Sequence, residues 1–216
     1  EESLPDYNFI LNVWTSDYTE RALISVSNIF LRQKKYNEAI VYLKKLELTS
    51  EYKSHYGFAV NNLMEAYSNM GMPDETLKYA GFVKQFEKSS QEEKLRAGLF
   101  TGKAHLMKGD TTAAMKEFTE VSSQAQTVSA AEAKYNLALL QYLKGDFKTS
   151  QKTAYEVINK MPSHDYWVAK SFILLADNFV ATKDEFQAKS TLQSVIDNYE
   201  GKDDILPTAK EKLQNL

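Results

Sequence analysis

The stretch "EAKYNLALLQYLKGDFKTSQKTAYEVINKMP" (Glu132–Pro162) decides the fold, and "YLKGDF" (Tyr142–Phe147) at its centre poses the question. A Gly beside an Asp at the end of an apolar-periodic run fits a phosphate-cradling loop, the edge of a metal site, or a break between two helices. A second stretch, "RAGLFTGKAHLMKGDTTAAMKEFTEV" (Arg96–Val121), answers it: the "KGD" of Lys108–Asp110 superposes on Lys144–Asp146 without a gap. The unit recurs in more worn form at Gly71, at "QKKYNEA" (Gln33–Ala39) and at "TKDEFQA" (Thr182–Ala188). Units beginning at Glu20, Gly57, Leu95, Ala131 and Ala169 are spaced 37, 38, 36 and 38 residues apart. Such a period marks a repeat architecture.

Each unit reads as two amphipathic helices around a short turn. In the fourth, Tyr135, Leu137, Ala138 and Tyr142 fall at helical spacing, and after the turn Phe147, Ala154, Val157 and Ile158 do the same. Small residues stand where the two helices of a unit cross: Ser27 with Ala39, Gly102 with Ala114, Ala138 with Ser150, Ala176 with Ala188, and more loosely Met64 with Thr76. One aliphatic closes each second helix: Leu46, Val83, Val121, Val157 and Val195. Capping boxes are expected at Ser90 with Glu93, Ser129 with Glu132, and Asp17 with Glu20. Gly145 is expected to end a helix in the left-handed conformation, with Asp146 capping the next helix and Phe147 stapling the turn.

The pattern resembles the tetratricopeptide repeat, a helix–turn–helix unit that stacks into a right-handed superhelix. That resemblance implies an all-α solenoid of repeats at residues 20–56, 57–94, 95–130, 131–168 and 169–202. Residues 1–19 are then a remnant or cap of a preceding repeat, with Tyr7, Ile10, Leu11 and Trp14 on one face. Residues 203–216 form a closing helix striped by Ala209 and Leu213. The opening "EESLPDYN" holds neither Met nor signal peptide, so the sequence is expected to come from a processed or longer chain.

Bulk chemistry narrows the function. Only 8 Gly and 4 Pro among 216 residues speak for helices. With 26 basic and 29 acidic side chains the net charge is −3, which points away from nucleic acid. No apolar run is long enough to span a bilayer. Zero Cys removes disulfides, thiolate catalysis and Cys-based zinc sites.

Catalytic signatures are missing. Gly102-Lys103 lacks the spacing and the Ser/Thr of a phosphate loop. His55, His105 and His164 share no helical spacing, and no nucleophile elbow occurs. The expectation is no enzyme, no cofactor and no metal. Trp14 and Trp167 are read as packing over the preceding unit rather than as exposed anchors.

What remains is a surface. The resemblance implies that first helices line a concave face that binds peptides or partner helices. Its outward positions are Arg21, Ile24, Asn28 and Arg32, then Asn61, Asn62, Glu65 and Asn69, then Arg96, Leu99 and Lys103. The fourth unit offers Tyr135, Leu139 and Tyr142, and the fifth Lys170, Ile173 and Asp177. Asn pairs with peptide backbone and Arg grips carboxylates. Some members of the family clamp a terminal carboxylate with Lys and Asn, then Asn, then Lys and Arg. Asn28, Asn62 and Arg96 fit that set, but Ile24 and Phe100 replace two of its cations, so no such clamp is claimed.

The stretch Ala188–Leu213 adds a narrower resemblance, to Gram-negative envelope repeat proteins of the Tol–Pal-associated and outer-membrane assembly types. The residues that carry it are Thr191-Leu192, Val195-Ile196, Tyr199 with Gly201, and Ala209 with Leu213. It implies a periplasmic or envelope-associated protein, with the cytoplasm as the alternative. The leading expectation is a non-catalytic scaffold for a protein or peptide partner; the alternative is a structural spacer block.

Overall fold

The computed structural model describes residues 17–124 and 126–216; the expected helix at Leu4–Trp14 lies outside the described residues. Among the described residues there are eleven α-helices and no strand. They run in pairs: α1 (Asp17–Arg32) with α2 (Tyr36–Thr49), α3 (Lys53–Asn69) with α4 (Pro73–Gln85), and α5 (Gln91–Met107) with α6 (Thr111–Gln124). Then come α7 (Val128–Leu143) with α8 (Phe147–Lys160), α9 (Asp165–Ala181) with α10 (Glu185–Asn198), and the lone α11 (Ile205–Gln214). The chain divides into two compact units, one up to Ala114 and one from Met115.

The turns within the pairs explain the recurring motif. Helix α7 ends in a Schellman motif, with the Gly145 N–H donating to the Tyr142 carbonyl at 2.8 Å and the Asp146 N–H to the Gln141 carbonyl at 3.0 Å. That geometry needs positive φ at one residue, and Gly145 supplies it at +79°. The same two bonds and the same conformation recur at Lys34, Gly71, Gly109 and Lys183. Asp146 then accepts the Thr149 N–H, and Asp110 and Asp184 accept those of Ala113 and Gln187. The Phe147 ring packs at a tilt against Tyr142, with ring centroids 5.6 Å apart. "KGDF" is a helix stop, a cap and a staple.

Two of the five turns place a lysine where glycine is favoured. Lys183 holds φ +64°, a conformation that costs a non-glycine residue about 1–2 kcal/mol. Lys183→Gly is therefore expected to stabilise the C-terminal unit by about 0.5–1 kcal/mol, after allowance for glycine's larger unfolded-state entropy. Gly145→Val is expected to cost about 1–2 kcal/mol for the reverse reason, since no atom lies within 4 Å of the added Cβ and the penalty is conformational alone. Urea unfolding of both variants checks the pair.

The small residues at the crossings are all buried, from Ser27 and Ala39 through Ala138 and Ser150 to Ala176 and Ala188. The five closing aliphatics are buried as well. In the N-terminal unit Leu43, Leu63, Met64, Tyr79 and Val83 form one core across α2, α3 and α4. In the C-terminal unit Ile173, Leu192, Val195, Ile205 and Ala209 join α9, α10 and α11. Helix α11 thereby closes the apolar face left by the last pair, with Leu213 packed against it.

Capping differs from expectation at the start of α7. Ser90 and Glu93 form the full box, with the Glu93 N–H to Ser90 Oγ at 3.2 Å and the Ser90 N–H to Glu93 Oε2 at 2.7 Å. Helix α7, however, begins earlier than the Ser129 box implies: Thr127 is its cap and accepts the Ala130 N–H, which leaves Ser129 inside the helix. Glu20, in the first turn of α1, also makes long-range contacts. It accepts the Glu51 N–H at 2.7 Å and pairs with His55, so it ties α1 to the start of α3. Burial alone would raise the Glu20 carboxyl, but these two donors hold it below the usual range.

Candidate functional site: the first-helix faces

In the N-terminal unit the expected binding residues are largely engaged with their own chain. Asn61 is 5% exposed; its amide donates to the Gly57 carbonyl and to Glu93 Oε1, each at 3.0 Å. It is a buried cross-link between α3 and α5, not an outward contact. Asn62 is half-buried and donates to the Phe58 carbonyl one turn back at 2.8 Å. Arg96 pairs through one guanidinium nitrogen with Glu65, and its guanidinium lies 5.5 Å from the Phe100 ring centre. The Lys103 ammonium sits 5.1 Å from the same ring, and Phe100 itself belongs to the core. Leu99 is buried, Asn28 half-buried, and Arg21 and Arg32 exposed.

In the C-terminal unit the expected residues converge. Tyr135 and Leu139 of α7 with Lys170, Ile173 and Asp177 of α9 line a hollow of about 140 Å³, walled on its third side by Asp204, Thr208 and Lys212. Helical spacing delivers the first five, since positions three and four apart share a face. The α11 wall was not legible as such, because that helix reads only as an end cap. Tyr142 lies further along α7, half-buried against the core of Ala138, Leu174 and Leu175.

The hollow is ordered by charge and aromatic contact. Lys212 Nζ binds Asp177 Oδ1 at 2.6 Å. The Lys170 ammonium lies 5.0 Å from the Tyr166 ring centre and 5.9 Å from those of Tyr135 and Trp167. It also lies 3.5 Å from Asp204 Oδ2, while Asp204 Oδ1 accepts the Tyr166 hydroxyl at 3.0 Å. Burial works against the Lys170 charge, yet the oxygens of Tyr166, Tyr135 and Asp204 hold its pKa above the ordinary lysine range. Burial raises the Tyr135 hydroxyl too. Trp167 packs on Ala130, Ala131 and Met161 of the preceding pair, the structural role its position implies.

The arrangement offers donors and acceptors side by side on an apolar floor. An ammonium has three donors, and each here uses only part of them on a carboxylate. A peptide backbone presents one donor and one acceptor per residue, so an extended segment matches such a lining. The histidines do other work: His55 pairs with Glu20, His164 Nε2 lies 3.1 Å from the Gln126 carbonyl, and His105 is half-buried in α5. Among the described residues no group of three or more His, Asp or Glu is placed to hold a metal ion, and no helix is long and apolar enough to cross a membrane.

Comparison with known proteins agrees with this class of molecule. A tetratricopeptide-repeat model matches residues 166–201, the α9–α10 pair that carries Lys170 and Asp177. The crystal structure of BtubC (BKLC) from P. vanneervenii superposes with a TM-score of 0.66 at 11% identity, covering 94% of this chain and 91% of that one. The crystal structure of MamA protein superposes with a TM-score of 0.60 at 14% identity, covering 84% and 92%. At these identities the likeness concerns the fold. No curated protein matches the sequence. Fold and repeat together define an all-α helical-repeat protein containing a tetratricopeptide repeat.

Proposed function

We propose that the protein is a non-catalytic scaffold that binds a peptide or protein partner on the first-helix face of its C-terminal unit. Tetratricopeptide repeats in general mediate protein–protein interaction. The observation that carries the reading here is the hollow of α7, α9 and α11, where Tyr135, Leu139, Lys170 and Ile173 meet the ordered pair of Asp177 and Lys212. The corresponding face of the N-terminal unit supports it less, since Asn61 and Arg96 are bound to Glu93 and Glu65. A cell-envelope location belongs to the proposal and rests on the resemblance of Ala188–Leu213; fractionation of the full-length protein tests it.

The double variant Lys170→Met/Lys212→Met keeps both aliphatic stems and removes both cations. It is expected to weaken a partner captured by the wild-type protein about tenfold or more, the scale of a central contact residue, with the helical circular dichroism spectrum retained at the assay temperature. Unchanged affinity, or wild-type protein that captures nothing, favours the spacer reading instead.

A further inference from the structure

A larger cleft, of about 490 Å³, opens on a different flank of α9, where α9 begins and α10 ends. Its floor is apolar, from Val168, Ala169 and Phe172 of α9 and Val195 of α10. Two exposed carboxylates line it, Asp165 in the first turn of α9 and Glu200 just past α10. None of the described residues lining it is basic. The volume lies within the range of ligand clefts, roughly 300–1,000 Å³.

One wall is built by the "Tyr before Gly" signal of the sequence. The Tyr199 ring folds over Gly201 so closely that a Cβ there would stand 2.3 Å from a ring carbon. The Tyr199 hydroxyl donates to Asp203 Oδ2 at 2.5 Å, and Asp203 Oδ1 accepts the Ile205 N–H at 3.1 Å. Burial and the Asp203 carboxylate push this hydroxyl up to about 12, so it remains a donor across the working pH range. The glycine is what lets Tyr199 form the wall.

We propose that this cleft is a second peptide site, separate from the first-helix face, that takes a bulky apolar side chain adjacent to a lysine or arginine. The apolar side chain lies against Val168, Phe172 and Val195, and the cation is drawn by Asp165 and Glu200. Charge complementarity selects this occupant: an acidic–apolar segment meets two carboxylates with no basic lining residue to offset them.

The test is an amide-resolved NMR titration of the full chain with acetyl-Phe-Lys-amide, with acetyl-Phe-Glu-amide as the charge control. The lysine peptide is expected to shift the amides of Val168, Phe172, Val195 and Gly201, with about tenfold weaker response to the glutamate peptide. Asp165→Asn/Glu200→Gln should remove most of that preference. Gly201→Ala, which dislodges the Tyr199 ring, should weaken both peptides while leaving Leu139 and Lys212 unshifted. Equal response to the two peptides, or shifts centred on Leu139 and Ile173, overturns the proposal. So do shifts that appear on concentrating the protein alone, which assign the cleft to a second copy of the chain.

Discussion

Tyr79→Ala is expected to destabilise the N-terminal unit by about 3–5 kcal/mol, the range for deleting a fully buried aromatic ring. Tyr79 is 1% exposed on α4. Its ring stacks on Tyr67 at 5.5 Å and meets Phe82 edge-on at 5.5 Å. Its hydroxyl accepts from Lys44 Nζ at 2.6 Å and donates to Glu47 Oε2 at 2.9 Å, which ties α4 to α2. Tyr79→Phe keeps the ring and the Lys44–Glu47 pair, so it should cost only about 1–2 kcal/mol. A Tyr79→Ala loss no larger than that of Tyr79→Phe, in urea unfolding, contradicts this account of the core.

The same cluster sets a pH dependence with a definite sign. Burial, helped by the Glu47 carboxylate, pushes the Tyr79 hydroxyl up to about 12 against the pull of Lys44. Lys44 is likewise raised, first by its hydrogen bond to Glu47 and then by that to Tyr79. Groups with raised folded values hold their protons longer in the folded state, so their contribution is full below the unfolded pKa values and is lost as pH rises. Stability is therefore expected to decline between about pH 10 and the Tyr79 value near 12. Tyr79→Phe should shallow that decline.

Ala138→Leu is expected to cost about 1–3 kcal/mol by overpacking, although it adds apolar surface. Ala138 and Ser150 are both 0% exposed where α7 crosses α8. Ala154, Leu174 and Leu175 close the same cluster, so the added carbons have no space to enter. Forcing the helices apart also strains the contact from the Asn178 amide to Ser150 Oγ, 3.0 Å long and buried. Leu143→Ala, at a position 67% exposed near the end of α7, is the control and should stay within about 0.5 kcal/mol of wild type. A wild-type melt for Ala138→Leu would mean that the crossing does not require a small residue.

Much of the fold was legible because it repeats. Gly71, Gly109 and Gly145 recur in register, and each takes the left-handed turn its position implies. Lys34 and Lys183 take the same turn without the residue that signals it, since the Schellman bonds and the packing of the flanking helices override local preference. The α7 start was missed because two capping signals compete within three residues, and Thr127 prevails over Ser129.

The candidate site was legible in part, for a related reason. Periodicity places Tyr135, Leu139, Lys170, Ile173 and Asp177 on one face each, and the hollow contains all five. Partners across helices depend on the register between units, which link lengths and crossing geometry set. Glu65 with Arg96, Asn61 with Glu93, and Glu20 with His55 are of that kind. So are Asp204, just before α11, and Lys212 within it, which reach Lys170 and Asp177 from a helix read only as a cap.

Site-specific photo-crosslinking in the full-length protein tests the central claim most directly. A photoreactive residue at Leu139, on the first-helix face, is expected to give a discrete adduct with a partner protein. The adduct should disappear in Lys170→Met/Lys212→Met, and the same reagent at Lys152, exposed on α8, should give none. Adducts of equal yield from both positions, or none from Leu139, would contradict a partner held on the face of α7, α9 and α11.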